Sequence, residues 1–337
     1  MADLSERLVL STQDLEMQLG VNKLPLFIHE AEENFLEMTG KIVDHIAEHP
    51  RVRAVFISGP TSSGKTTFTE RMAAGLRARG RNACRLSLDN YYDVVRPIFD
   101  EDGRPDYESI YTIDTVMAGE NIRDLLRNRP VVIPHFNFRT RKREMGPPES
   151  AFSLGLEGIV LVEGLHGLAE DIAGVLPREE WVGVFLMPHG AIVADKTIFR
   201  SDDFRMLRRV VRDKRHRGAH ALATIDYWPM ISGSEKLYFD EYLAKADFYV
   251  NTILAYESLV IAPVAAADIL EALQQYREGT IAPSVFMERT VPKKAFADLN
   301  RAIDRAEELI RDLGRIPEVD SKIVPDHSIL QEFIGEL

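Results

Sequence analysis

Apolar residues in the first fifty positions recur at roughly helical spacing. Phe27, Ala31, Leu36, Ile42, Val43, Ile46 and Ala47 mark the repeat, and His49-Pro50 stops it. The period then changes. Val52 to Ile57 is a strand-length apolar run that enters a glycine-rich turn, and Lys65 to Arg79 reads as a helix closed by Gly80. Further strands are predicted at Ala83 to Leu88, Val131 to Phe136, Ile159 to Val162, Val182 to Met187 and Phe248 to Asn251, with helical stretches between several of them. Such alternation predicts an α/β fold with a mostly parallel sheet flanked by helices on both faces. Arg96 to Tyr107 and Thr140 to Ser153 are rich in Pro, Gly and charge and read as long loops, which in compact domains are often functional. A helical tail over about Lys294 to Leu313 is expected to pack back on the sheet.

Composition narrows the function classes. With 45% hydrophobic and 28% charged residues in 337, wholesale disorder and collagen-like structure are excluded. Forty-one basic against fifty-three acidic residues give a net charge of −12, a poor basis for general binding of nucleic acid or anionic lipid. An anionic ligand therefore needs a local concentration of positive charge. The single cysteine, Cys84, cannot form an internal disulfide, which favours a reducing compartment. The most apolar stretch, Tyr256 to Leu273, is interrupted by Glu257, Pro263 and Asp268, and Met1 to Leu10 lacks a signal-peptide core. A cytoplasmic location is expected, with no nucleic-acid or membrane partner.

The sharpest chemical signal is Gly59-Pro60-Thr61-Ser62-Ser63-Gly64-Lys65-Thr66, followed by Thr67. It matches the phosphate-loop pattern G-x-x-x-x-G-K-[ST] between a predicted strand and a predicted helix, the context the pattern requires. Gly59 and Gly64 permit a tight turn with inward N–H groups, and the helix N-terminus adds positive potential. Lys65 is placed for the β- and γ-phosphates of a nucleotide and the Thr66 hydroxyl for Mg²⁺.

Glu163, at a predicted strand end before Gly164, is the candidate second metal carboxylate; a solvated strand-end acid is the plainer reading. Asp89, in Ser87-Leu88-Asp89-Asn90-Tyr91-Tyr92, could accept a hydroxyl proton or simply form a turn. Arg205, Arg208, Arg209 and Arg212 are spaced i, i+3, i+4, i+7 and share a helix face, with Arg217 just beyond. A charge run of this kind is ordinarily a solvated face. Beside a phosphate loop it suggests a lid that neutralises transferred phosphoryl charge.

Six ordered motifs carry a resemblance: Gly59 to Thr67, SLDNYY, GRPDYES, PHFNFRTRKR, VEGLHGL and the run from Asp203 to Gly218. Together they resemble the uridine kinase and phosphoribulokinase group of P-loop kinases, over about residues 27 to 337. The resemblance is nearest to the uridine-kinase-like branch whose longer members carry a TGS module, of which no counterpart is found in these residues. It implies ATP and Mg²⁺ as cofactors, Asp89 as base, Tyr92 as a substrate contact, and Glu163 at the metal. It also implies lid or phosphate contacts for Arg205, Arg208, Arg209, Arg212 and Arg217, and self-association. Phe136 and Arg141 stand where that family has a base-reading tyrosine and histidine, Arg143 keeps the pattern, and Asp106 flanks the ribose-binding position.

The expected organisation is a helical N-terminal extension over 1–50, a P-loop NTPase-fold kinase domain over 51–290 and a C-terminal helical tail over 291–337. The expected activity is transfer of the γ-phosphoryl group of ATP to a hydroxyl of a nucleoside-like or sugar-containing acceptor. The alternatives are a non-nucleoside acceptor, such as a sugar, sugar phosphate or vitamin precursor, or an ATP-binding switch without an acceptor.

Overall fold

The computed structural model describes residues 6–93, 98–138, 140–155, 157–287 and 293–335. The chain opens with β1 (Leu8–Ser11), α1 (Thr12–Met17) and the long α2 (Lys23–Glu48). The first unit of the main sheet follows as β2 (Ala54–Ser58), α3 (Lys65–Ala78) and β3 (Ala83–Ser87). Next come the small strands β4 (Ile98–Phe99) and β5 (Pro105–Asp106), α4 (Thr115–Leu126), the hairpin of β6 (Pro134–Asn137) and β7 (Lys142–Met145), and β8 (Ile159–Glu163). After α5 (Glu170–Ala173), β9 (Trp181–Met187), β10 (Gly190–Val193) and β11 (Thr197–Arg200), the helices α6 (Ser201–His216) and α7 (Ala221–Lys245) lead to β12 (Phe248–Asn251). The chain closes with α8 (Glu257–Arg277), α9 (Leu299–Leu313) and the short α10 (Gln331–Ile334).

Five strands form one parallel sheet in the order β12-β9-β2-β8-β3. Every residue of β2 and β8 is buried, which is why both read as unbroken apolar runs rather than alternating ones. Successive side chains of β2 leave on opposite faces. Val55 and Ile57 join Phe35 and Ile46 of α2 and Phe68 of α3 in one core; Ala54 and Phe56 join Ile122 and Leu125 of α4 in the other.

The long N-terminal helix packs on α3 through its apolar stripe, with Phe35 edge-on to Phe68 at 6.3 Å between ring centroids. The stretch before it, read from sequence as helical, also contains β1, which pairs in parallel with β10 beside β11. The two segments read as loops hold strands as well. The β4–β5 pair lies in the first, whose Arg96 and Pro97 fall outside the described residues, and β7 lies in the second. Lys142–Met145 is polar and largely exposed, so no apolar alternation announces it. The tail helix α9 begins at Leu299, where the Asp298 side chain accepts from the Arg301 N–H at 3.1 Å. Among the described residues no helix is long and apolar enough to cross a membrane.

Candidate active site

Strand register gathers the chemistry at one edge of the sheet. Ile57 of β2 and Ser87 of β3 both pair with Glu163 of β8. The loop after β2, the Asp89 turn after β3 and the Glu163 carboxylate thus meet outside the C-terminal strand ends, where open α/β sheets bind ligands. Two glycines are obligatory in the loop. A Cβ on Gly59 would come within 2.2 Å of the Leu186 carbonyl oxygen, and Gly64, the N-cap just before α3, holds φ +86°.

The Lys65 ammonium donates to the Gly59 and Pro60 carbonyls, each at 2.9 Å. The Ser62 and Ser63 hydroxyls are buried without hydrogen-bond partners. Orphaned donors, glycine turns and a helix N-terminus make a cradle that fits a chain of phosphates.

The cradle opens into a cavity of about 480 Å³. Thr61, Ser62, Lys65, Thr66, Asp89, Tyr92, Phe136, Arg141, Glu163, Arg209, Arg212 and Arg217 all line it. Burial first, and then the neighbouring Asp89 charge, push the Glu163 carboxyl up to about 7. Tyr92 packs against Phe136 and Phe138, with ring centroids 5.3 and 5.9 Å away. The Arg141 guanidinium lies 4.0 Å over the Tyr107 ring, and that of Arg217 lies 4.3 Å over Phe138.

Burial draws the Arg217 guanidinium down to about 10. Burial also opposes the charge on Asp213, yet Arg209, Arg212 and Arg217 hold that carboxyl down to about 2. This fully buried aspartate accepts from Arg209 and Arg212, both at 3.0 Å, and gathers them with Arg217 into one fork.

Two members of the arginine run lie elsewhere. Arg205 pairs with Glu235 beneath the loop and donates to the Thr61 carbonyl at 3.2 Å. Arg208 pairs with Glu257 through two bonds of 2.6 Å and also donates to the Ser62 carbonyl at 3.2 Å. Both are buried and neither lines the cavity. Asp106 accepts from the Ser234 hydroxyl and Arg143 pairs with Asp114, each at 3.0 Å, also off the cavity wall. Gly59, Ser63, Gly64 and Thr67 frame the loop without lining the cavity.

No family model matches the chain. Among curated proteins, a stretch of 129 residues is 31% identical to uridine-cytidine kinase C of Dictyostelium discoideum, covering 37% of this chain and 25% of that protein. The uridine kinase of Staphylococcus aureus is 27% identical over 163 residues, 48% of this chain and 69% of that one. Both matched stretches are similar to uridine kinases, and the first spans only a quarter of its relative's length. A solved structure described as a possible uridine kinase from Bacillus stearothermophilus overlaps 59% of this chain and 88% of its own at a TM-score of 0.39 and 15% identity, too loose to argue from.

The fold brings further residues to the site that sequence reasoning missed. Glu108 lines the cavity and pairs with Arg209 at 3.1 Å, and its carbonyl meets buried His166 at 2.7 Å. Tyr107, Tyr227 and Phe286 complete the aromatic wall. Glu235 accepts from the Thr61 N–H as well as from Arg205. Glu108 and Tyr107 fall inside the GRPDYES motif, so a signal existed for those two. The partners of Glu235 and Phe286 are far away in sequence and leave no local trace.

Proposed function

We propose that the protein transfers the γ-phosphoryl group of ATP to a hydroxyl of a nucleoside-like or sugar-containing acceptor. One observation carries the reading. A phosphate loop, the Asp89 and Glu163 carboxylates, four arginines and an aromatic wall face a single open cavity. Thr66 and Glu163 are the residues that would hold Mg²⁺, which supplies charge neutralisation on the phosphates when bound. Lys65 and the first-turn N–H groups of α3 hold the phosphate chain, and Arg209, Arg212 and Arg217 supply positive charge where it develops.

Asp89, beside the aromatic wall, takes the proton of the acceptor hydroxyl. A nucleotide-dependent switch needs no such base beside an open cleft, which favours a kinase over that alternative. The aromatic rings suit a planar or apolar acceptor face. Arg141, a permanent cation with five donors, favours a second reading in which the acceptor is an anionic or polyhydroxyl sugar compound.

Asp89→Asn tests the assignment. Turnover should fall on the order of 10²-fold while ATP affinity, read by calorimetry, stays close to wild type. Joint collapse of affinity and turnover would instead make Asp89 a metal or structural residue.

A further inference from the structure

The C-terminal tail closes directly on the phosphate loop. Ile329, Leu330 and Phe333 are completely buried. A Cβ on Gly64 would meet the Ile329 side chain at 2.3 Å. The Arg208 guanidinium, which holds the Ser62 carbonyl, lies 5.0 Å over the Phe333 ring. From this anchored turn the Glu332 carboxylate accepts from the Thr67 N–H at 3.3 Å and the Thr67 hydroxyl at 3.4 Å. Glu332 also lines the cavity shared by Lys65 and Thr66.

Thr67 is the third residue of α3. N–H groups in the first turn of a helix have no partner within it, and they carry the positive end of its dipole. The carboxylate of Glu332 therefore sits where a phosphate oxygen would be held. Two anions cannot share that N–H.

We infer that Glu332 sets donor affinity, acting as a built-in anion at the N-terminus of α3 that a phosphate chain has to displace. The inference rests on the phosphate-site reading above. Three buried side chains keep the tail backbone in place, so the carboxylate alone turns away. A packing role for Glu332 predicts no gain in binding when its charge is removed; a competing role predicts a gain.

Calorimetry on the full chain decides between them, with inorganic pyrophosphate and then ADP titrated into wild type, Glu332→Gln and Glu332→Ala. Both variants should bind pyrophosphate about five- to tenfold more tightly, the scale expected for removing one like charge beside a helix N-terminus. Glu332→Gln keeps the shape of the side chain, so its melting temperature should stay near wild type and separates the charge effect from misfolding. Binding unchanged within about twofold overturns the inference, whatever the melting temperature does. Weaker binding overturns it too, and would make Glu332 a holder of the nucleotide or its metal. Failure of wild type and variants alike to bind either ligand would overturn the phosphate-site reading itself, and this inference with it.

Discussion

Among the described residues Lys65 is the only lysine lining the cavity. Its ammonium rests on two loop carbonyls, close to where the phosphates would lie. Lys65→Ala should abolish turnover, and activity retained within about threefold of wild type would contradict its role.

Glu163 offers a test in pH. Its carboxyl is raised from an ordinary value of 4.5 to about 7, by burial first and by Asp89 second. Ionising it costs the folded state, so the stability it contributes below about pH 4.5 is lost as pH rises through about 7. In metal-free buffer Glu163→Gln should melt about 2–4 °C above wild type near pH 8 and match it near pH 4. An equal difference at both pH values would contradict this origin.

These residues were legible because their signals are local. Lys65 and Thr66 lie in a contiguous motif, Glu163 ends β8, and Asp89 lies in the turn just after β3. The Asp213 fork was not legible, since i, i+4 spacing does not show which way a helix face turns.

The α6 helix separates two kinds of arginine. Arg208 belongs to the scaffold, where it ties α6 to Glu257 of α8 and to the loop carbonyl of Ser62, with both charged side chains fully buried. Arg208→Ala leaves the Glu257 carboxylate buried without its partner and should cost about 3–5 kcal/mol in denaturant unfolding. Replacing both residues by apolar ones should recover most of that loss. Arg212 shares Asp213 with two other arginines and faces the cavity. Arg212→Ala leaves Asp213 paired with Arg209 and Arg217, so it should cost less stability than Arg208→Ala yet lower turnover on the order of 10²-fold. A reversed pattern would mean that the roles are exchanged.

Element by element, the inner strands β2 and β8 could be read because burial on both faces leaves continuous apolar runs. β1, β10 and β11 could not. They are four residues each, and β1 finds its partner β10 some 180 positions along the chain. The face that sequence presents as one arginine stripe is divided in the fold, because Glu235 and Glu257 draw Arg205 and Arg208 inward.

For the whole molecule, an excess of acidic residues makes the arginine-lined cavity a local exception to the net charge of −12. Phe136 is nearly buried among aromatic rings, and Arg141 is held at φ +53° in the β6–β7 turn, its guanidinium over Tyr107. A buried pyrimidine edge would find a ring face and a cation there rather than a hydroxyl and an imidazole. Uridine and cytidine should therefore be used at least about tenfold less efficiently in kcat/KM than the best acceptor. Robust uridine phosphorylation in a kinetic comparison would move base reading to the loop around Asp102 to Tyr107.

Phosphoryl transfer to an acceptor is told from slow hydrolysis by a switch through ADP release from Mg·ATP. That release is measured with and without pooled nucleosides, deoxynucleosides and sugars. Release should depend on one acceptor class and disappear in Lys65→Ala. Release at one slow rate regardless of acceptor would contradict transfer.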